Sequence, residues 1–527
     1  MTFDAPLTAQ IRRAQRNGIG DLLWRSAARF PSKTAIVYRN KRQSYAELEE
    51  TVNRMANALA ERGIRKGDRI ALLSRNNHGF VVVFFAAARL GAILVPVNFM
   101  LNAAEVAYIL GHAQPVAMVV EDGLFPVAES ALHIAGVDVR TRGVILEAHA
   151  APPGGWESVG DWMLHADARS PEVDIDDNDP VNILYTSGTE SRPKGATLSS
   201  RNFIAQYLSL IVDGEMSADD IEIHALPLFH CAQLHAFLVP GLYLGATNIV
   251  LPGADPAAIL ATVEAERATK LFCPPTVWIA LLRHADFDRR DLSSLRKGYY
   301  GASIMPVEVI KELAGRLPRM RLFNMYGQTE MSPLATVLKP EDQMRKLGSA
   351  GRATLNVETR VVDDDDRPVP PGVMGEIVHR GPHAMQGYWN DPEKTAETFR
   401  NGWFHSGDLG VIDEEGYLYV VDRKKDMIKT GGENVASREV EEVLYQHPAI
   451  AEVAVFGTPH PQWIEAVTAA AVLRAGQTLD AELLIAFCRE RLAGFKVPKR
   501  VVFVDKLPKN ASGKILKREL RLSIGQL

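Results

Sequence analysis

The sequence predicts an α/β protein built of several units, and three observations carry that reading. Across residues 18–101, helical and extended patterns alternate, the mark of a parallel sheet covered by helices. Across 357–421, short extended stretches alternate with turns, and from 437 to 504 helices and strands mix in a small α+β pattern. The 527 residues are too many for one core and, at about 150 residues per domain, give roughly three or four folding units.

In chain order, residues 22–28, 45–62 and 80–90 read as helices and 34–38 and 69–73 as strands. Ser44 and Glu47 have the spacing of a capping box at the start of the second helix. The apolar stretch 80–101 is broken by Arg89, Gly91, Pro96 and Asn98, so it reads as buried helix, turn and strand and not as a membrane span. Residues 148–179 form a loose surface connection whose acidic run, with no His and no calcium-loop spacing, is a solvated turn. Residues 202–212 read as a helix, and so do 256–268, with Asp255 as cap and Pro256 at the first position, where no N–H is needed. A short strand at 270–273 ends at Pro274 and Pro275, and Asp363 to Asp366 form a turn between strands. The tail carries helices at 437–446 and 481–491 and strands at 450–456, 466–473 and 500–504.

Composition narrows the function classes. A net charge of -5 makes no electrostatic case for nucleic acid. Cys231, Cys273 and Cys488 are too scattered for a disulfide framework or a zinc site, and residues 1–18 lack the apolar core of a secretory signal, so a cytoplasmic setting is expected.

The chemistry concentrates first at residues 185–195, Tyr-Thr-Ser-Gly-Thr-Glu-Ser-Arg-Pro-Lys-Gly. Thr186, Ser187, Thr189 and Ser191 can donate hydroxyl protons, Gly188 and Gly195 allow close backbone approach, and Arg192 and Lys194 supply charge, a composition suited to phosphate. It is not a P-loop, because Pro193 and Gly195 stand where that motif needs glycine and Ser or Thr. Downstream, Gly301-Ala302-Ser303 is a small-residue turn that leaves room for a flat ligand or for tight packing. Asn324-Met325-Tyr326-Gly327-Gln328-Thr329-Glu330 offers an aromatic face and a carboxylate suited to magnesium. Asp408 and Arg423 each close a strand or turn, His230 stands beside an apolar run, and Lys514 sits on a glycine-containing loop near the C-terminus.

In this order, these pieces resemble the adenylate-forming superfamily of acyl-CoA synthetases, peptide-synthetase adenylation domains and luciferases, over about residues 45–520. The resemblance implies a large N-terminal domain, 1–421, of two helix-covered sheets and a small β-barrel subdomain. A hinge at 422–425, with Lys425 at the hinge position, would lead to a mobile α+β domain, 426–527. It implies ATP, Mg2+ and CoA as cosubstrates and cofactor. Thr186, Ser187, Gly188, Thr189 and Lys194 would cover the ATP phosphates; Gly301, Ala302, Asn324, Tyr326 and Gly327 would form the adenine pocket; Asp408 and Arg423 would hold the ribose. Thr329, Glu330 as magnesium ligand, His230 and Lys514 would serve catalysis, and Gly431, Gly432 and Glu433 would line the path of the CoA arm. His235, Val239, Val277, Met331 and Pro333 would line the acyl pocket.

The implied reaction joins a small apolar monocarboxylic acid, fatty in the first reading, to CoA through an acyl-adenylate. Aryl acids, a carrier-protein acceptor and a noncatalytic nucleotide-binding relative are the alternatives. The chain would act without nucleic acid or an integral membrane segment, and a homodimer is compatible with it. Two residues depart from the family pattern, Glu190 and Ser191 standing for its second Thr and following Gly: Glu190 either points to solvent or places a carboxylate beside the phosphates, where it repels them unless Arg192, Lys194 or magnesium compensates.

Overall fold

The computed structural model describes residues 5–186, 192–303, 305–430, 433–510 and 513–524, and among them the strands form four sheets. The first sheet holds Arg321–Tyr326, Lys297–Gly301, Lys270–Phe272, Ile221–His224, Thr247–Val250 and Thr34–Tyr38 as parallel neighbours, with antiparallel strands at both edges. The second runs parallel from Glu157–Ser158 to Pro180–Thr186, then turns antiparallel through Lys194–Ser199 and Gly387–Tyr388. A third, antiparallel sheet, Glu358–Val362 to Leu418–Arg423, occupies the region read as all-β. The last sheet, Ile428–Thr430 to Arg500–Phe503, belongs to the C-terminal unit.

The largest core lies between the first two sheets, where helices Ile19–Arg29, Tyr45–Glu61 and His78–Leu90 pack. The expected capping box forms: Ser44 Oγ accepts from the Glu47 amide and Glu47 accepts from the Ser44 amide. Every residue of His78–Leu90 is buried, and Gly91, at φ +66°, turns the chain into strand Ile93–Val97. This helix–turn–strand is the reading made from sequence, and no helix among the described residues is long and apolar enough to cross a membrane.

Burying Arg89 in that helix requires acceptors. Its guanidinium donates to both Glu49 oxygens, at 2.6 and 2.9 Å, and to the Gly20 carbonyl at 2.8 Å. Glu49→Ala leaves a buried cation without its counter-charge, and the expected loss is about 3–5 kcal/mol of stability, read by denaturant unfolding. A loss within about 0.5 kcal/mol, the range of surface substitutions, contradicts the pairing argument.

Three stretches go beyond the sequence reading. Residues 148–179 are not wholly loose: Trp156 and Trp162 are buried, and Glu157–Ser158 adds a strand to the second sheet. Two helices, Pro275–Arg283 and Val307–Arg316, follow Pro274 and Pro306, whose turn-like signals masked the helices behind them. Strand Trp403–Ile412 runs through Ser406-Gly407-Asp408, which reads as a turn because Gly407 takes φ +72° inside the strand.

Candidate active site

The third sheet sets the first anchor. Asp408 and Arg423 are register partners on strands Trp403–Ile412 and Leu418–Arg423, with Arg423 Nε 3.5 Å from Asp408 Oδ1. The Tyr326 hydroxyl and Gln328 Nε2 donate to Asp408 Oδ2 at 2.8 and 3.0 Å. Tyr326 ends strand Arg321–Tyr326 of the first sheet, so one buried carboxylate joins two sheets.

Lys514 arrives from the C-terminal unit. Its amide donates to Asn510 Oδ1 at 2.8 Å, and the Gly513 carbonyl accepts from Thr276 Oγ1 at 3.2 Å. Gly513 has φ +81°, and a Cβ there would lie 2.5 Å from Thr276 Oγ1, so the loop seats closely on the first turn of helix Pro275–Arg283. Burial and the charge of Arg423 press the Lys514 ammonium down to about 8, against the pull of Asp408 and Asp426. Burial, with Lys514 nearby, pushes His230 down to about 4, so its ring is neutral at pH 7. His230 Nδ1 accepts from the Ala232 amide at 3.2 Å, which assigns the ring proton to Nε2.

Thr329 and Glu330 occupy the turn Thr329–Met331. Cys231 Sγ lies 3.2 Å from Thr329 Oγ1, bringing the His230 segment to the same turn. The Tyr388 hydroxyl donates to Glu330 Oε1 at 2.9 Å, and the Lys194 ammonium stands 5.7 Å from the centre of the Tyr388 ring. Thr186 and Lys194 are register partners on the antiparallel strands Pro180–Thr186 and Lys194–Ser199, so the two described ends of the 185–195 segment lie side by side in the second sheet. Ser187, Gly188, Thr189, Glu190 and Ser191 lie outside the described residues, as do Gly431 and Gly432. Glu433 is exposed, pairing with Thr430 in the hairpin after the turn at 424–426, where Lys425 is also exposed.

Several residues of the expected nucleotide pocket are also held by close backbone packing. A Cβ on Gly301 would come 2.3 Å from the Met325 carbonyl oxygen, and one on Gly327 2.1 Å from that of Pro333, so backbone approach demands both glycines. Gly195 makes room for Ile183, since a Cβ there would stand 2.6 Å from Ile183 Cγ2. Ala302 takes φ +63° beside Gly301, and Asn324 Nδ2 donates to the Ser349 carbonyl at 2.8 Å.

The acyl-pocket expectation needs correction at three residues. His235 is a core residue: it stacks on Phe203 at 3.6 Å, accepts from the Tyr207 hydroxyl at 2.7 Å and donates to Asn182 Oδ1 at 3.1 Å. A widened helical turn, Leu234–Leu238, carries it there, and burial keeps it neutral. Val239 packs into the core between the two large sheets, and Met331 packs with Ala335, Val357 and Phe404 toward the third sheet. Val277 borders a different apolar cluster, which contains Ala236, Phe237, Phe272, Tyr299, Phe323 and Met325. Pro333 is half-buried and closes on Gly327. Sequence reasoning assigned no role to Tyr388, Gln328 or Cys231: Gln328 and Cys231 had only their place within or next to a recognised motif as a signal, and Tyr388 had none.

Magnesium fits as a shared guest. Among the described residues no group of three or more His, Cys, Asp or Glu is placed to hold a metal. Glu330 Oε1 has a hydroxyl neighbour, a hard oxygen site that would need phosphate and water oxygens to complete six-coordination.

The family model described as AMP-binding enzyme matches residues 23–389, and the one described as AMP-binding enzyme C-terminal domain matches 439–514. The chain is 38% identical to a feruloyl-CoA synthase of Amycolatopsis sp, over 97% of this chain and all of that protein. It is 39% identical to an indoleacetate–CoA ligase of Aromatoleum aromaticum, over 94% and 96% of the two chains. It is 35% identical to the long-chain-fatty-acid–CoA ligase FadD13 of Mycobacterium tuberculosis, over 91% and 93%. Among solved structures, the anthranilate CoA ligase AuaEII in complex with anthranoyl-AMP superposes with a TM-score of 0.89 at 28% identity, covering 96% and 97% of the chains.

Proposed function

Since the chain belongs to the AMP-binding enzyme family and is an ATP-dependent acid–thiol ligase, we propose that it converts an apolar monocarboxylic acid to its CoA thioester in two half-reactions at one site. The single observation that supports this best is that the Lys514 loop of the C-terminal unit seats on Thr276, which brings the ammonium within electrostatic range of His230, Asp408 and Arg423, residues far apart in the chain.

In the first half-reaction a carboxylate oxygen attacks the α-phosphorus of ATP. A P–O bond forms, the bond to the bridging oxygen breaks, and pyrophosphate leaves with the electron pair. Two anions meet in this step. The Lys514 ammonium offsets their repulsion, neutral His230 donates its Nε2–H toward the acid, and Thr329 contacts the α-phosphate. Asp408 Oδ1, with Arg423 beside it, accepts from the ribose hydroxyls, while Asn324 and Tyr326 border the base. Bound at Glu330, magnesium would supply further charge stabilisation. Lys194, with Thr186 beside it, covers the leaving pyrophosphate. The C-terminal unit, residues 426–527, then turns about Lys425, bringing 431–433 to the site. The CoA thiolate attacks the carbonyl, a C–S bond forms, and AMP leaves.

The acid is read as one bearing an aromatic ring. Ala232 and Ala236, just after His230, belong to or border an apolar cluster in which Phe237 stacks on Phe272 at 4.4 Å and Tyr299 on Phe323 at 4.9 Å. Such ring faces suit a flat group, and two of the relatives above are named for aryl substrates. The fatty acid is the second reading, supported by the likeness to the long-chain ligase. The test is pyrophosphate release and thioester formation over hydroxycinnamic, arylacetic, benzoic and medium- and long-chain fatty acids, with and without CoA. Preference for an aryl acid with CoA-dependent thioester is expected. Preference for fatty acids reverses the substrate reading, and an adenylate that CoA does not discharge points to a carrier protein.

A further inference from the structure

Arg438 lies in the first turn of helix Ser437–Tyr445, on the C-terminal side of the turn at 424–426. Its guanidinium reaches back to two backbone carbonyls on the other side of that turn. Nη1 donates to Val420, on strand Leu418–Arg423, and Nη2 to Gly348 at 3.1 Å. Gly348 takes φ +79°, and a Cβ there would stand 3.3 Å from Arg438 Nη2, so the backbone runs directly beneath the guanidinium.

The next residue, Ser349, is tied on every side. Its amide donates to the Lys346 carbonyl at 3.0 Å, its hydroxyl to the Leu418 carbonyl at 2.8 Å, and its own carbonyl accepts from Asn324 Nδ2 at 2.8 Å. Arg438 is thus one peptide unit from the carbonyl that orients Asn324. Burial disfavours the charge on Arg438, and the carboxylates of Glu442, Glu441 and Asp422 face it. A desolvated guanidinium needs its acceptors, and these two carbonyls are within reach only while the helix lies against this body. Other ties in the neighbourhood sit closer to the turn: Asp422 Oδ2 accepts from both the amide and the hydroxyl of Ser437 at 2.7 Å. Residue 422 lies two positions before the turn and can keep such a contact through a rotation. Gly348 lies in a distant segment and cannot.

We propose that Arg438 is a positioning residue for the first half-reaction alone: it holds the C-terminal unit closed over the nucleotide side of the site and steadies the Ser349–Asn324 pair. This rests on the two-state reading of the site given above, in which the same unit turns away before thioester formation.

The test separates the half-reactions in full-length protein: pyrophosphate exchange for the first, and thioester formation from supplied acyl-AMP and CoA for the second. Arg438→Ala is expected to lower the first by about 10- to 100-fold, the effect of losing charge-assisted hydrogen bonds, with a raised KM for ATP. The second should stay within about twofold, below what one such bond carries. Arg438→Lys, which can hold one carbonyl at a time, should recover part of the first half-reaction and serves as the probe if the alanine variant fails to fold. An equal fall in both half-reactions reduces Arg438 to a structural role and overturns the proposal, as does an unchanged first half-reaction. Lys514→Ala is run alongside. If the wild-type protein releases no pyrophosphate with any acid, the functional reading fails; if Lys514→Ala separates the half-reactions and Arg438→Ala does not, only the positioning role fails.

Discussion

Lys514→Ala is expected to slow adenylate formation by about 10²–10³-fold, the effect of removing one preorganised charge from a site where negative charge builds up. Thioester formation from supplied acyl-AMP should be nearly unchanged, because in the proposed cycle the Lys514 loop has left its seat on Thr276 by then. Equal loss in both steps would remove the lysine from its assigned role. The same residue predicts a pH limb. Burial and Arg423 hold its ammonium near 8, well below a free lysine, so the charge is present below that pH and lost as pH rises through it. In free enzyme, kcat/KM for the first half-reaction should therefore fall above about pH 8, by about tenfold per unit. Bound ATP favours the ammonium and should move the limb in kcat upward. Lys514→Arg, if it turns over, should show no such limb, since a guanidinium stays charged. A limb that persists in the arginine variant belongs to another group. His230, neutral down to about 4, adds no limb between pH 5 and 8.

Glu330→Gln is expected to lower the first half-reaction by about 10²-fold or more at fixed magnesium. The amide keeps the size of the side chain and can still accept from Tyr388, so local packing is preserved and only the charge offered to a cation is removed. The informative readout is a magnesium titration: the variant should require a higher concentration for half-maximal pyrophosphate release, while unfolding stability stays close to wild type. An unchanged magnesium dependence would place the cation elsewhere in the site.

Much of this site was legible in the sequence because its residue types are chemically marked. Glu330 after an aromatic–glycine turn, Asp408 and Arg423 at strand positions, and Lys514 on a glycine loop each carry a charge where an apolar pattern breaks. The fold was legible for a related reason. Helix His78–Leu90 shows its burial in composition, and Asp255 and Ser44 mark helix starts through caps that local chemistry dictates. The failures are equally physical. His230 and His235 stand five residues apart beside the same apolar run, and nothing in residue type tells which meets Lys514 and which is stacked on Phe203. The glycines at 301 and 327 read as ligand clearances, and the structure shows them also required by the close approach of the Met325 and Pro333 carbonyls, a contact that residue type alone does not reveal.

The sequence by itself determined the local chemistry: which segments become strands and helices, where phosphate-suited groups cluster, and in what order the charged residues occur. Only the tertiary structure decided who meets whom. It placed the Lys514 loop on Thr276, Tyr388 on Glu330 and Arg438 on Gly348, pairs drawn from segments remote in sequence and, for two of them, from both sides of the turn at 424–426. Periodicity and capping act over a few residues and specify the face of an element. Which body covers that face is set by packing between elements remote in sequence, and that is where the site is assembled.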